Sequence, residues 1–363
     1  MPTETLKAGT PSAGLLGTET PSAGPLSAGA LSAEAPAGAI RVSYCGVGDE
    51  AAADLAGQIE AVRELGWQCL ELRTVDGLTV DALSPRAFAE AVAAIAGAGL
   101  TVPVVAARIG GWSRPISCDP AGELAELDVL AERCARLGTR YLRIMSYPND
   151  GLSEADWEQA VLRRIRALTA RAAESGLVLL HENCSGWAGR DAARALRLVA
   201  EAGEESFGLL FDTGNGAAHD YQPYPMLRRL APYVRHVHVK DAVGGPDQVH
   251  YRPPGEGGLR VADSLRLLLA GGYRGAWSIE PHLAVRPHED HRASPPECRA
   301  AFTTCGQALR TLAEQAATAD DATRATAATG TARTTAADGA DWPTAPQSPA
   351  WHLTPAGLER PPC

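Results

Sequence analysis

Eight short apolar runs, at 40–45, 68–72, 102–107, 141–145, 177–182, 208–211, 234–239 and 276–280, alternate with helical segments. That alternation leaves the chain very few folds. The helical segments are rich in Ala, Leu, Arg and Glu and fall at about 50–65, 85–98, 120–137, 154–175, 189–203, 224–231, 260–271 and 297–316. Continuous apolar strands separated by helices mean a parallel sheet covered on its outer face. Eight repeats predict a closed (β/α)8 TIM barrel. An open doubly wound sheet usually needs fewer strands and a glycine-rich first turn. The stretch after the first run, Cys45-Gly46-Val47-Gly48-Asp49, does not complete such a turn.

The barrel does not need the whole chain of 363 residues. Residues 1–38 repeat a small-residue theme, with TPSAG at both 10–14 and 20–24, and have little to bury. Residues 318–363 are rich in Ala, Thr, Asp and Pro. Both are expected to be disordered tails around a catalytic domain at 39–317. Within that domain, Ser153 followed by Glu154 and Asp156 offers a helix cap with acids in the first turn. Gly66, Gly138, Gly176 and Gly272 each follow a helical stretch, where a left-handed residue ends a helix.

A net charge of −10 argues against a nucleic-acid backbone as partner. No apolar stretch is long enough for a membrane span, and no secretory signal opens the chain. The eight cysteines lack CxxC spacing, which fits reduced thiols and a cytoplasmic location.

The chemistry gathers at the ends of the last four strands. Glu182, Asp212 and Glu280 close or follow their apolar runs, and His238 lies in the alternating run Val234-Arg235-His236-Val237-His238-Val239. In a barrel these four converge on the face where strands end. Three carboxylates in one pocket repel one another and take up protons unless a cation holds them. A divalent metal site is therefore expected, with oxygen ligands and one imidazole suiting a borderline-hard ion. By alternation from Glu182, the ring of His181 is assigned to the helical layer. The same assignment is made for His236 relative to His238.

HEN at 181–183, FDTGN at 211–215, HVHVKD at 236–241, PGEGG at 254–258 and GGYRGAWSIEPH at 271–282 resemble the xylose-isomerase-like barrel superfamily of sugar-phosphate isomerases and epimerases. The resemblance covers residues 40–316. It implies that Glu182, Asp212, His238 and Glu280 are ligands of one divalent metal ion, usually Mn2+, with Mg2+ or Co2+ as substitutes. It also implies that Glu182 and Glu280 act as an acid–base pair beside a metal-stabilised enediolate. One glutamate would take the proton next to the carbonyl and the other would return it. Epimerases of this kind generally carry a histidine three residues after the metal aspartate. Here that position is Asn215, which can hydrogen-bond a hydroxyl but cannot titrate near neutrality.

Seven residues are expected to contact substrate: Asn215, Lys240, Glu71, Arg143, Trp112, Trp187 and Glu256. Lys240 follows the metal histidine by two. Glu71, with Arg73, ends the second run and would reach the pocket from the far side. Arg143 is a cation in an apolar run, placed to bind a substrate oxygen or to pair with Glu71. Trp112 and Trp187 sit in loops where an aromatic can stack on a sugar ring, and Glu256 sits in a Gly/Pro-rich loop that could order a lid.

The expected activity is that of a metal-dependent isomerase or epimerase of a keto-sugar or related polyol. Its closest rival is dehydration of an inosose-like keto-cyclitol, which begins with the same proton abstraction. A metal-dependent phosphodiesterase would need several metals and a basic groove, and a non-catalytic barrel would show damage to the ligand set. A small-molecule polyol is thus the expected partner, without nucleic acid or membrane. Many enzymes of this type form a homodimer, though no sequence feature fixes an interface.

Overall fold

In a computed structural model, residues 42–328 are described, together with the pairs Leu353–Thr354 and Gly357–Leu358. Seven regular parallel strands form one curled sheet: β1 Ser43–Gly46, β2 Val104–Ala106, β3 Tyr141–Ser146, β4 Val178–Gly186, β5 Phe207–Asp212, β6 Val234–Val239 and β7 Ala276–Ile279. Their spatial order is β1-β7-β6-β5-β4-β3-β2. The eighth stave is the segment 69–72. It is paired by single bridges, Val47 with Glu71 on one side and Leu72 with Val105 on the other. Glu71 N donates to Gly46 O at 2.9 Å and Ala106 N donates to Leu72 O at 2.8 Å, so these bonds close the ring between β1 and β2. The second apolar run therefore does its expected work as a discontinuous ladder.

Helices cover the outside of the sheet: α1 Leu55–Glu64, α2 Pro85–Gly97, α3 Pro120–Leu137, α4 Glu154–Ala173, α5 Ala192–Ala202, α7 Pro223–Leu230, α8 Val261–Ala270 and α9 Pro295–Ala328, while the short α6 Asn215–His219 lies at the strand-end face. Ser153 caps α4, its Oγ accepting from Asp156 N at 3.2 Å. Gly138 ends α3 with φ +70°, a conformation that costs a side-chain-bearing residue about 1–2 kcal/mol. The other three glycines named above also have positive φ. α9 packs on β1 through the buried Phe302, whose ring occupies the space a side chain at Gly46 would need. This last helix continues to Ala328, past the expected boundary at 317. The rest of the expected C-terminal tail, apart from the two short pairs, and the expected N-terminal tail lie outside the described residues.

Alternation along the strands separates two apolar regions. Leu179, Leu209, Phe211, Val237, Val239, Trp277 and Ile279 belong to the large core between sheet and helices. Val104, Val178, Leu180 and Leu210 form a separate cluster in the barrel interior, with Tyr141 against it. Side chains two residues apart share a face. Leu180 therefore predicts where Glu182 points, and Leu210 does the same for Asp212.

His181 is odd in this series and faces the helical layer, as alternation requires. It is buried, its Nε2 makes no hydrogen bond, and burial pushes its pKa down to about 4. The unfolded chain takes up a proton near pH 6.5, whereas the folded chain resists until about pH 4. The stability at stake is therefore intact above pH 6.5 and lost as the pH falls across that window. The slope approaches about 1.4 kcal/mol per pH unit. Urea melts at pH 7 and pH 5 should show this loss in the wild type and a smaller one in His181→Leu. Equal losses would remove His181 as the source.

Candidate metal centre

Inward-facing positions within β4, at the ends of β5 and β6 and just after β7 bring Glu182, Asp212, His238 and Glu280 together. All four are buried, and one ligand atom from each lies within 4.8 Å of the others. His238 Nδ1 is 3.2 Å from Glu280 Oε2, 3.5 Å from Glu182 Oε1 and 3.9 Å from Asp212 Oδ2. Asp212 is held by its other oxygen. Oδ1 accepts from Gly214 N and Asn215 N, both at 2.6 Å, at the start of α6. Asn183 ties β4 to β5, its Nδ2 donating to Asp212 O and its Oδ1 accepting from Asp212 N.

The donor set fits a cation. Glu182 Oε2, Asp212 Oδ2, His238 Nδ1 and Glu280 Oε2 are all buried, and none makes a hydrogen bond. Cations do lie at ion-pair distance: Lys240 Nζ is 2.9 Å from Glu280 Oε2 and 3.2 Å from Asp212 Oδ2, and Arg143 Nε is 3.2 Å from Glu182 Oε2. Their directions leave these four atoms without a hydrogen bond, a costly condition for buried polar groups. Two neighbouring clusters, Glu71 with His236 and His238, and Glu50 with Glu280 and His282, could also hold an ion by proximity. In each of these, histidine already satisfies the acid. Both Glu71 oxygens lie 2.8 Å from a histidine Nε2, and both Glu50 oxygens are bonded to His282. Among the described residues, only the four-residue set brings together side chains that each keep a polar atom without a hydrogen bond.

Charge crowding points the same way. Burial by itself raises a carboxyl's pKa. At Glu182 the Arg143 guanidinium and the His238 ring outweigh burial and hold the carboxyl at about 2. Lys240 and His282 likewise hold Glu280 well below the usual carboxylate range against its burial. Asp212 goes the other way: burial raises it, and Lys240 offsets only part of that and of the two neighbouring glutamates. Burial would lower His238, but Glu71, Glu182 and Glu280 raise it well above the ordinary imidazole range. Of the three carboxylates, Asp212 is the one that the neighbouring cations leave under-compensated.

A cavity of about 620 Å³ opens above this cluster. Of the expected substrate contacts, Asn215, Lys240, Arg143 and Trp112 line it, together with Glu182 and Glu280. Asn215 Nδ2 donates to Glu182 Oε1 at 3.1 Å, and Lys240 Nζ donates to Asn215 Oδ1 at 3.1 Å. Arg143 pairs with Glu182, and not with Glu71. Trp112 stands at the mouth, 52% exposed.

Three expected contacts fall elsewhere. Glu71 is fully buried beneath the pocket, where its carboxylate is consumed by His236 and His238. Trp187 is buried in the outer core with the Arg194 guanidinium 5.5 Å from its ring centre, so it packs a loop and does not line the cavity. Glu256 is exposed in a turn closed by its own amide, which donates to Pro253 O, and it lies outside the cavity. Asp241 anchors that loop, accepting from the amides of Gly255, Gly257 and Leu259. His236 also corrects its assignment. It faces inward beside His238, because residues two apart on a strand share a face.

Sequence reasoning missed Asp49 and Glu50, acids just after β1. Asp49 receives two bonds from Arg73 Nε, at 3.1 and 3.0 Å, and Arg73 Nη1 reaches Glu280 Oε1 at 2.6 Å. Their signal was present: like Glu280, they follow the C-terminal end of a strand.

The family profile described as "Xylose isomerase-like TIM barrel" matches residues 59–301. A 2-epi-5-epi-valiolone 7-phosphate 2-epimerase of Actinoplanes sp. (strain ATCC 31044 / CBS 674.73 / SE50/110) is 30% identical over 156 residues, covering 42% of this chain and 53% of that protein. The chain thus spans about half of that relative's length. Among solved structures, an L-ribulose 3-epimerase superposes with TM-score 0.60 at 16% identity, covering 81% of this chain and 99% of that one. The IOLI protein, solved with a zinc atom, superposes with TM-score 0.61 at 15% identity, covering 76% and 99%. Likeness at these identities establishes the shared fold.

Proposed function

The chain belongs to the xylose isomerase-like TIM barrel family, and on that premise we propose that it is a divalent-metal-dependent isomerase or epimerase of a keto-sugar or related polyol. The observation that carries this reading is the convergence of four buried ligand residues, each with a polar atom that makes no hydrogen bond, beneath a cavity of about 620 Å³. The epimerase named among the relatives supports the reaction class. Glu182, Asp212, His238 and Glu280 would hold the ion. Their mixed oxygen and nitrogen donors suit Mn2+, Mg2+ or Co2+, and the zinc atom of the IOLI structure supports a divalent ion.

When bound, such an ion supplies Lewis-acid polarisation of a substrate carbonyl. The chain's own residues supply the rest. Glu182 and Glu280 both line the cavity and serve as the acid–base pair, one taking the proton beside the carbonyl and the other returning it. Each glutamate has two oxygens, Oε1 bonded to Asn215 in Glu182 and to Arg73 in Glu280, and Oε2 without a hydrogen bond, so one oxygen can face an ion while the other serves the proton. Lys240 keeps its charge, because Asp212 and Glu280 outweigh its burial, and it faces any negative charge that develops on substrate oxygen. Asn215 orients Glu182 and offers an amide to a hydroxyl, and Trp112 at the mouth offers a face to a sugar ring. The seven described cysteines are free thiols, which supports a cytoplasmic location, and no described helix is long and apolar enough to cross a membrane.

Metal analysis paired with deuterium uptake from D2O into keto-sugars and keto-cyclitols tests the reading. The expected result is near one divalent ion per chain and exchange at the carbon beside the carbonyl, abolished by chelation and restored by metal. A chain that takes up no metal after Mn2+, Mg2+, Co2+ or Zn2+ addition sinks it. Recovery of a dehydrated product would move the assignment to elimination.

A further inference from the structure

Beneath the cavity floor a single carboxylate serves two histidines. Glu71, on the bridged stave 69–72, reaches across the barrel interior to β6. Its Oε1 lies 2.8 Å from His238 Nε2 and its Oε2 lies 2.8 Å from His236 Nε2. All three residues are essentially inaccessible to solvent, and the two rings meet edge-on with centroids 5.7 Å apart. An ionised carboxylate can only accept hydrogen bonds. Each histidine must therefore present Nε2–H to it, which assigns protons that the heavy atoms alone leave open. For His238 this leaves Nδ1 as the ring nitrogen turned toward Glu182, Asp212 and Glu280, and Nδ1 is the atom with no hydrogen-bond partner.

We propose that Glu71 is a positioning residue. Its carboxylate fixes the Nε2–H tautomer and ring plane of His238 so that Nδ1 is the nitrogen offered to the divalent ion, and His236 braces the carboxylate from its second oxygen. The proposal rests on His238 being a ligand, as argued above. It explains why a barrel interior otherwise lined by Val104, Val178, Leu180 and Leu210 carries a buried acid and a second histidine. A carboxylate behind a metal-bound histidine typically affects metal affinity by about 10–100-fold.

Glu71→Gln separates positioning from mere space filling, because the two side chains have nearly the same shape. A carboxylate accepts from both rings. An amide accepts from one and donates to the other, so one histidine must give up Nε2–H and carry its proton on Nδ1.

The test uses the full chain labelled with 15N-histidine and loaded with Zn2+ alone, a diamagnetic probe. In the wild type, His238 should show a metal-bound Nδ1, and both His236 and His238 a protonated Nε2. In Glu71→Gln, one of the two rings should change tautomer, and the Zn2+ Kd should rise by about 10–100-fold. Zinc bound through His238 Nε2 in the wild type would overturn the proposal even if the variant failed to fold. So would a folded variant with unchanged tautomers and unchanged Kd. A wild type that takes up no Zn2+ removes the four-ligand reading and this proposal with it. Zinc uptake without the tautomer pattern removes this proposal alone.

Discussion

Glu280→Gln and Glu182→Gln should each slow product formation from a competent keto-substrate by about 10²–10⁴-fold, the usual contribution of a positioned acid or base. Glutamine keeps an oxygen that can face the ion but cannot take up the proton. The two variants should not be equivalent. Glu182 is held by Arg143 and Asn215, whereas Glu280 is held by Arg73 and Lys240, so they act from separate supports. If they work on a substrate as a pair, one variant should still wash deuterium into the substrate while forming no product. That variant retains the glutamate which takes the first proton. Rates measured by NMR in D2O at saturating metal decide it. Unchanged product formation in both would remove the acid–base pair even if the metal site stood.

Asp212→Asn should weaken divalent-ion binding by about two to four powers of ten, equivalent to the roughly 3–5 kcal/mol of a broken buried charge pair. This aspartate divides its labour by atom. Oδ1 caps the start of α6 through Gly214 and Asn215, and Oδ2 points at the cluster without a hydrogen bond. The asparagine oxygen can keep the cap, so the fold should survive, while its amide nitrogen would oppose both the ion and Lys240 Nζ. The sign is not trivial for the metal-free chain. Asp212 has its pKa raised by burial and by its acidic neighbours, so losing its charge relieves crowding there. The metal-free variant should therefore melt close to the wild type, while the stabilisation that metal adds to the wild type should largely vanish. Melts with and without Mn2+ or Zn2+, together with calorimetric titration, separate the two effects. Equal metal stabilisation in both proteins would show that Asp212 is not a ligand.

The sequence by itself determined the eight-stave order, because apolar runs of strand length between amphipathic segments can be satisfied only by a sheet covered with helices. It also determined the candidate ligands, since Glu182, Asp212, His238 and Glu280 recur at one end of successive parallel strands. Alternation carried His181 to the helical side and should have carried His236 inward, where the structure has it.

Tertiary structure alone decided which other polar residues meet the pocket. Glu71 and Trp187 sit at strand ends and loops just as Arg143 and Trp112 do. Yet Glu71 is spent on two histidines more than 160 positions away, and Trp187 is buried in the outer core. Curvature of the ring and the exit direction of each loop fix those partners, and neither is written in local periodicity. The same holds for Arg73. Its link to Glu280 spans 207 positions, and only closure of the barrel brings the second stave within 2.6 Å of the last strand's acid. Local pattern fixes which face a side chain takes, whereas a contact across the barrel depends on the register of every stave between.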